Sequence, residues 1–349
     1  MHFPRETNPV SSKSPIAILD RAIEAHAALR AWCRLGGERE KPVKVEVWRE
    51  LPTNQPASVY RLVFGGPAMP PVFAKHSERR FGAVERTCYE AVLPRVRVPS
   101  PAYHGSLEDD DGSWWLFVED AGREWYSITD PEHRRLAGRW IGTLHREGAH
   151  VAAARTLPSA GPERYLKHLR AARERIERNF ANPGLSTGDR EVLNTSLVLQ
   201  DEVESRWDRI ERACAGPPAT LVHGDFQPKN IRVVPGPPEA RVLVLDWEMA
   251  GWGCPAADLA APCAADVTSH IDLSAYAAEV CGAWPEVDVA AIHRLTAVGL
   301  VFRRLAAMDW AGESLHFEQP KVLSDPVESL RFLNRSLVRC LASAEEWLG

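Results

Sequence analysis

Residues 223–230 read His-Gly-Asp-Phe-Gln-Pro-Lys-Asn (HGDFQPKN) and separate two short apolar runs, residues 220–222 and 231–234. The runs are too short for helices, so they favour two small strands joined by a polar loop. On that loop Asp225 and Asn230 are five positions apart. A carboxylate there can orient a hydroxyl and accept its proton, and a nearby amide oxygen can bind a divalent cation. The alternative interpretation is an ordinary turn, since His, Asp and Asn are common loop residues.

A second carboxylate follows the next apolar run. Residues 242–245 (Val-Leu-Val-Leu) predict a strand, and Asp246-Trp247-Glu248 comes directly after it. Mg²⁺ prefers octahedral oxygen ligation, in which one or two protein carboxylates are completed by phosphate oxygens and water. Asp246 together with Asn230 would supply such a set. Glu248 either assists them or is a surface carboxylate at the start of a helix.

A lysine in the first third of the chain could bind phosphate groups. Residues 72–75 (Val-Phe-Ala-Lys) predict a strand that ends on Lys75. Ten positions later Glu85 lies on a predicted helix, where the spacing of the apolar residues that follow it favours an inward face. Glu85 is therefore the favoured partner for Lys75, and Glu78 and Glu90 are competing partners.

The pattern of the chain changes near residue 120. Beyond Gly122 the spacing is mostly helical, with long amphipathic stretches over 131–146, 162–180 and 189–212. Before it, β-branched and aromatic runs predict one antiparallel sheet with an inserted helix over 82–93 and a hairpin turn at Gly65-Gly66; the strands are expected at 43–47, 59–64, 71–75 and 114–118. These patterns predict an α+β fold of two lobes, a small antiparallel β lobe over residues 42–120 and a large α-rich lobe over residues 121–349.

Residues 1–41 predict an extension that carries one helix. After a polar leader, apolar residues recur at steps of four and three from Ile18 to Trp32, which places them on one helix face, and Gly36-Gly37 ends the helix. The leader is not an apolar signal, and the longest uncharged apolar stretch, residues 295–302, is too short to span a bilayer. We therefore expect a soluble, cytoplasmic protein with no membrane partner.

Composition narrows the class of partner. The chain has 349 residues, 45% of them hydrophobic and 26% charged, so it can bury a large core. Its 42 basic and 47 acidic residues leave a net charge of −5, which argues against nucleic acid and favours a small-molecule partner. Seven cysteines without a C-x-x-C pair favour reduced, buried thiols. The 12 tryptophans are an excess that composition does not explain.

The motifs together resemble a known family. Lys75, Glu85, HGDFQPKN and residues 245–260 (LDWEMAGWGCPAADLA) look like the aminoglycoside phosphotransferase and choline kinase-like superfamily, which has the two-lobed protein kinase-like fold. The resemblance covers residues 43–310. It implies transfer of the γ-phosphoryl group of ATP, with Mg²⁺, to a hydroxyl of a small molecule.

The resemblance also implies roles for individual residues. Asp225 would be the catalytic base, Asn230 and Asp246 would bind the metal, and Lys75, paired with Glu85, would reach the α- and β-phosphates. His223 and Asp258 are expected to be structural, with Asp258 bracing the loop and His223 hydrogen-bonded in the packing. His145 is expected to be a packing residue too.

The nucleotide site is less complete in sequence. Phe117, Val118 and Glu119 resemble the hinge whose backbone would hydrogen-bond adenine. The turn over residues 51–58 lacks the glycines that usually cover the phosphates, which leaves Ser58 and its neighbouring amides as candidates. Cys254 stands where the family often has an aspartate, outside the inferred metal set.

The acceptor is expected against the C-terminal helices. Asp309, Trp310 and Glu313 lie there on or after a helix and could hold a polar or cationic ring, or they could be ordinary helix-end residues. The acceptor classes that fit are antibiotic-like natural products, nucleosides, sugars and amino alcohols. We expect the chain to act as a monomer or homodimer.

Two other functions are compatible with parts of this sequence. A nucleotide-binding pseudoenzyme with a scaffold or regulatory role is favoured by the glycine-free turn and opposed by the intact Lys75, Asp225, Asn230 and Asp246. A metal-dependent hydrolase built on His223, Asp225 and Asp246 would leave Lys75 unexplained, and no G-x-S-x-G or H-E-x-x-H motif accompanies it. Release of ADP with a suitable acceptor separates a kinase from a pseudoenzyme.

Overall fold

A computed structural model describes residues 16–18, 21–36, 40–49, 57–67 and 69–343 of the chain. Six strands form the small lobe: β1 (Ile16–Ile18), β2 (Pro42–Arg49), β3 (Ala57–Phe64), β4 (Val72–Ser77), β5 (Tyr103–Glu108) and β6 (Trp114–Glu119). They pair antiparallel in the order β1-β2-β3-β4-β6-β5. The predicted strands are present, and β5 is an additional edge strand whose sequence, Tyr-His-Gly-Ser-Leu-Glu, lacks a β-branched run.

The N-terminal segment departs from the prediction. Strand β1 joins the edge of the sheet, and two short helices, α1 (Arg21–Glu24) and α2 (Ala27–Arg34), follow it. The expected single helix is wrong because His26 has an extended backbone, with ψ at 134°, and its side chain caps α2 by accepting a hydrogen bond from the Ala28 amide at 3.2 Å. Trp32 of α2 is fully buried against Phe64 and Phe117 and covers the outer face of the sheet.

The two faces of the sheet belong to two different cores. Val72 and Ala74 of β4 are fully buried in the core under α2. Phe73, which points the other way because side chains alternate along a strand, packs against the core of the large lobe. Lys75 shares that second face, so the alternation directs its ammonium group at the large lobe.

One helix is inserted between the strands of the small lobe. Helix α3 (Arg79–Thr87) begins three residues before the predicted start and continues as a π-turn, Cys88–Val92, and a short 3₁₀ turn, Leu93–Arg95. The wider π-turn fits the buried Tyr89 and Val92 into the core that joins the lobes. Glu85 is buried on the inner face of α3.

The large lobe is mostly helical. Its helices are α4 (Pro131–Gly148), α5 (Pro162–Asn179), α6 (Thr187–Ser205), α7 (Trp207–Cys214), α8 (Ala256–Leu259), α9 (Leu273–Val280), α10 (Val289–Gly312) and α11 (Pro320–Ser343). Helix α10 is buried along most of its length and packs against α5, α8 and α11. The stretch predicted as one helix over 189–212 is two helices, because the backbone leaves the helical region at Arg206.

Four short strands carry the polar loops. They are β7 (Thr220–Val222), β8 (Ile231–Val234), β9 (Arg241–Val244) and β10 (Gly251–Gly253). Strand β8 pairs with β9, and β10 pairs with β7. The second pairing was not predicted, because Gly-Trp-Gly is a poor strand sequence. It brings residues 246–250 alongside the loop that begins at His223.

Two expectations from composition can be compared with the structure. No helix within the described ranges combines the length and apolar character needed to cross a membrane. All seven cysteines are free thiols, but only four of them are buried: Cys33 is exposed, and Cys263 and Cys281 are half-buried.

Candidate active site

The loop after β7 holds the Asp225 carboxylate from three sides. Its Oδ2 accepts hydrogen bonds from Lys229 Nζ at 2.8 Å and from Asn230 Nδ2 at 2.9 Å, and Oδ1 accepts one from the side-chain amide of Gln227. The 3₁₀ turn Pro228–Asn230 makes this possible by folding Asn230 back over the loop. The predicted pair, Asp225 and Asn230, is therefore in direct contact.

Asp258 of α8 braces the start of this loop. Its two oxygens accept hydrogen bonds from the backbone amides of His223 and Gly224, at 2.7 and 2.8 Å. It is fully buried and also meets His145 Nε2 at 3.2 Å. Burial opposes ionisation, yet the hydrogen bond and charge of His145 together with the amides hold the pKa of Asp258 below its usual value. Asp258 therefore holds the backbone at the start of the loop.

Gly224 is required by the close fit of the loop. Its φ is +78°, a conformation that favours glycine, and a Cβ there would overlap the carbonyl of Met249. His223 is buried beside it, with Nε2 3.0 Å from the Leu245 carbonyl. Burial lowers the pKa of His223, and both of its ring nitrogens are engaged, since Nδ1 accepts a hydrogen bond from the Asp225 amide at 3.2 Å.

Lys75 lies among three carboxylates: Glu85 belongs to its own lobe, and Asp246 and Glu248 belong to the large lobe. Its Nζ lies 3.0 Å from Glu85 Oε2 and 2.7 Å from Glu248 Oε2, and it is in direct contact with Asp246 Oδ1. The competing partners lie elsewhere: Glu78 pairs with Arg80, and Glu90 pairs with Arg86 and Tyr103. The structure thus brings Lys75, Glu85 and Asp246 together and adds Glu248, which the sequence left open.

The electrostatics of this cluster follow from burial and crowding. Burial raises the pKa of Glu85 to about 7, although the Lys75 ammonium beside it opposes the shift. Burial alone would lower the pKa of Lys75, but Glu85, Asp246 and Glu248 hold it well above its usual value. Glu85 is tied to the far side of the cleft as well, since its Oε1 accepts from the Trp247 amide at 3.2 Å.

The three carboxylates around Lys75 could bind one cation together. Oxygens of Glu85, Asp246 and Glu248 lie within 4.8 Å of one another. Asp246 has φ at +68°, an uncommon conformation for a residue other than glycine, and it turns the carboxylate off the end of β9 toward Lys75. The three side chains offer carboxylate oxygens, the hard ligands that Mg²⁺ prefers. The donor set therefore fits a divalent cation.

Asn230 is held close to this cluster by the backbone. The Leu245 amide donates to the Asn230 carbonyl at 2.9 Å, and Ile231 is in register with Val244 on the paired strands. Asn230 thus lies beside the residue that precedes Asp246. Its side-chain nitrogen faces Asp225, so the side-chain oxygen is the atom available to a metal.

The residues predicted to contact the nucleotide lie on two strands of the small lobe, β3 and β6. Phe117 is buried in the core under α2, and Val118 is buried in the core that joins the lobes. The Glu119 amide donates to the Ala102 carbonyl at 2.8 Å, so its use by adenine would require that this bond open. Ser58 lies within β3, opposite His76. The rest of the glycine-free turn, residues 51–56, lies outside the described residues.

The predicted acceptor residues are engaged with α5. Asp309 is buried, contacts Arg175 through its carboxylate, and lies 2.8 Å from His168 Nδ1. Glu313 is 3.4 Å from Arg175, and the ring of Trp310 meets the ring of His168 edge-on at 6.1 Å. Burial, helped by nearby arginines, lowers the pKa of His168 to about 4. Arg175 therefore compensates the charge that was expected to bind a cationic acceptor.

The sequence model of the phosphotransferase enzyme family matches residues 74–293. The chain belongs to the phosphotransferase enzyme family. The matched part of this phosphotransferase begins at the strand that carries Lys75 and ends within α10, so it contains every residue of the candidate site except Ser58 and the three acceptor candidates. No curated protein matches the chain.

Several solved structures are similar in fold. The GDP complex of wild-type aminoglycoside 2'-phosphotransferase-IIIa has a TM-score of 0.53 at 14% identity and covers 84% of this chain and 92% of its own. Choline kinase from Cryptosporidium parvum Iowa II has a TM-score of 0.56 at 13% identity, with 86% and 90% covered. Spectinomycin phosphotransferase with ADP and spectinomycin has 0.53 at 10%, with 88% and 94% covered. These likenesses confirm the predicted two-lobed, kinase-like α+β fold.

One residue near the site was missed by sequence reasoning. Arg303 lies on α10, and its guanidinium donates to the backbone carbonyl of Phe226, the residue after Asp225. The available signal was the pair Arg303-Arg304 inside an otherwise apolar helix, since a buried charge needs specific partners.

Proposed function

We propose that this phosphotransferase moves the γ-phosphoryl group of ATP, with Mg²⁺, to a hydroxyl of a small molecule. The observation that carries the proposal is that Lys75 of the small lobe meets Asp246 of the large lobe beside the Asp225–Asn230 pair. Positioned charges of both signs around one cleft are what phosphoryl transfer requires, because the reaction depends on alignment and electrostatic stabilisation.

Asp225 is proposed to act as the base. Lys229 and Asn230 both donate to Oδ2 and so fix the direction of the carboxylate. An acceptor hydroxyl that displaced the Gln227 amide from Oδ1 would be oriented by Asp225 and could pass its proton there as it attacks.

Asp246 and Asn230 are the proposed metal ligands, and Glu248 adds a further carboxylate at the same place. When bound, MgATP would supply the phosphoryl group that is transferred, and the Mg²⁺ ion would offset part of the negative charge of the phosphates. Lys75 is proposed to exchange its contacts with Asp246 and Glu248 for contacts with the α- and β-phosphates. Glu85 would keep the Lys75 ammonium in place during this exchange. His223 and Asp258 hold the loop.

The structure also bears on the class of acceptor. The similar structures are named for an aminoglycoside, choline and spectinomycin, which supports a small-molecule acceptor. In this chain Arg175 compensates Asp309 and lies near Glu313. We therefore favour an acceptor without several positive charges, such as a nucleoside, a sugar or another hydroxylated natural product.

The decisive experiment is an acceptor screen with the full chain. The protein is incubated with Mg²⁺ and either ATP or GTP, together with panels of hydroxylated antibiotics, nucleosides, sugars and amino alcohols. Products are analysed by mass spectrometry for the gain of one HPO₃ unit, alongside nucleoside diphosphate release. We expect a gain with at least one acceptor, abolished by chelation of Mg²⁺. Nucleotide binding without any acceptor gain would instead indicate the pseudoenzyme.

A further inference from the structure

Arg303 is a buried arginine that donates a hydrogen bond to the catalytic loop, residues 223–230, which carries Asp225. Its side chain comes from the middle of α10, and Arg303 is only 9% exposed. The Nη2 atom donates to the Phe226 carbonyl at 2.7 Å, and Nε donates to the Ala257 carbonyl at 2.9 Å. Both acceptors are backbone atoms directly next to predicted site residues, Asp225 and Asp258.

Asp258 and Arg303 hold opposite ends of the same short segment. Asp258 accepts from the amides of His223 and Gly224, ahead of Asp225, whereas Arg303 donates to the carbonyl that follows Asp225. The ring of Phe226 is fixed as well, stacked on Trp140 with the ring centroids 5.7 Å apart. The backbone is therefore held by hydrogen bonds on both sides of Asp225, by Asp258 before it and by Arg303 after it.

The geometry requires an arginine rather than any cation. The planar guanidinium presents several N–H groups in a rigid fork, so one side chain can serve two carbonyls at once. A lysine keeps the charge but has a compact ammonium group on a flexible stem, which cannot reproduce the fork. Arg303 thus ties the catalytic loop to the turn that carries Asp258, and both of them to α10.

We propose that Arg303 is a positioning residue for phosphoryl transfer, which sets the orientation of Asp225 by holding the Phe226 carbonyl. The proposal rests on the proposed function of Asp225. The hydrogen bond from Arg303 to Phe226 connects the catalytic loop directly to α10, the helix that also carries Asp309 and Trp310.

The test compares Arg303→Lys with a matched neighbour, Arg304→Lys. Arg304 is also buried on α10, at 4% exposed, but it donates to Ser336 and Leu300 and not to the loop. With the acceptor found in the screen, we expect Arg303→Lys to lower kcat by about 10²-fold, with the nucleotide Kd within about twofold of the wild type. Arg304→Lys should leave kcat within about threefold even if its thermal stability falls equally.

A second measurement does not depend on an acceptor. Hydrogen–deuterium exchange of peptides covering residues 223–230 should be faster in Arg303→Lys than in the wild type, and unchanged in Arg304→Lys. Unaltered exchange in Arg303→Lys, or faster exchange with full kcat, would overturn the proposal. If the wild type phosphorylates no acceptor, the proposed function fails, and the exchange data still decide whether Arg303 holds the loop.

Discussion

At the scale of single residues, the site depends on how each carboxylate is paired. Asp225 is surrounded by donors, Lys229, Asn230 and Gln227, whereas Asp246 and Glu248 both contact the ammonium of Lys75 across the cleft. The first arrangement fixes the direction in which the Asp225 carboxylate points. The second gathers carboxylate oxygens at the place where a metal ion is proposed to bind.

Replacing Asp225 by Asn tests the first arrangement. The amide keeps the shape of the side chain but cannot accept a proton, so the transfer rate should fall by about 10²- to 10⁴-fold. Nucleotide binding should persist, because Lys75, Asn230 and Asp246 are untouched. Product formation at saturating substrates and nucleotide titration by calorimetry measure the two effects.

The matched control is Asp208→Asn, a carboxylate on α7 whose ion pair with Arg212 is exposed. It should retain wild-type turnover. If Asp225→Asn turned over within about threefold of the control, Asp225 would not be the base.

At the scale of elements, the site is positioned by a close crossing of two helices. Gly299 of α10 faces α8, and a Cβ at this position would overlap the Ala256 carbonyl. Arg303 is one turn further along α10 and reaches the Ala257 carbonyl. The absence of a side chain at Gly299 therefore lets α10 approach the helix that carries Asp258.

Gly299→Ala should push these helices apart. Alanine normally stabilises a helix interior relative to glycine by up to about 1 kcal/mol, but here the overlap should lower the free energy of unfolding by about 1–3 kcal/mol. Urea denaturation measures the change. Gly188→Ala on α6 is the control, since the nearest atom to its Cβ is 3.9 Å away. A Gly299→Ala protein as stable as the Gly188→Ala protein would contradict the close crossing.

At the scale of the whole molecule, buried histidines make stability depend on pH. His270 is fully buried, and its Nδ1 donates to the Ala260 carbonyl at 3.1 Å. Burial, together with the nearby Arg303, lowers the pKa of His270 to about 3. The unfolded chain binds a proton at this residue below about pH 6.5, whereas the folded chain does so only near pH 3.

The folded state should therefore lose stability as the pH falls below about 6.5. The slope from His270 alone is about 1.4 kcal/mol per pH unit, which gives a loss of about 2 kcal/mol at pH 5. His270→Asn removes the titrating group and keeps a donor for Ala260, so its free energy of unfolding should change less between pH 7 and pH 5. The exposed His150→Asn is the control and should keep the wild-type slope. Equal slopes in all three proteins would show that His270 is protonated when folded.

Local patterns in the sequence were enough to predict several residues of the site. Asp225, Asn230 and Asp246 were found because they stand at fixed spacings directly after short apolar runs, and a strand end constrains where the next side chain can go. Glu85 was found because helical periodicity placed it on the inner face. The two-lobed architecture followed from the change from β-branched runs to helical spacing near residue 120.

Which distant groups meet depends on how the helices and strands pack. Arg175 and Asp309 are 134 residues apart in sequence, and their ion pair compensates the charge of a residue that the sequence left either as an acceptor contact or as an ordinary helix-end residue. Arg303 and Phe226 are 77 residues apart, and no local pattern marks a hydrogen bond to a backbone carbonyl. The physical reason is that spacing encodes which face a side chain occupies, whereas its partner depends on how helices and strands pack against one another.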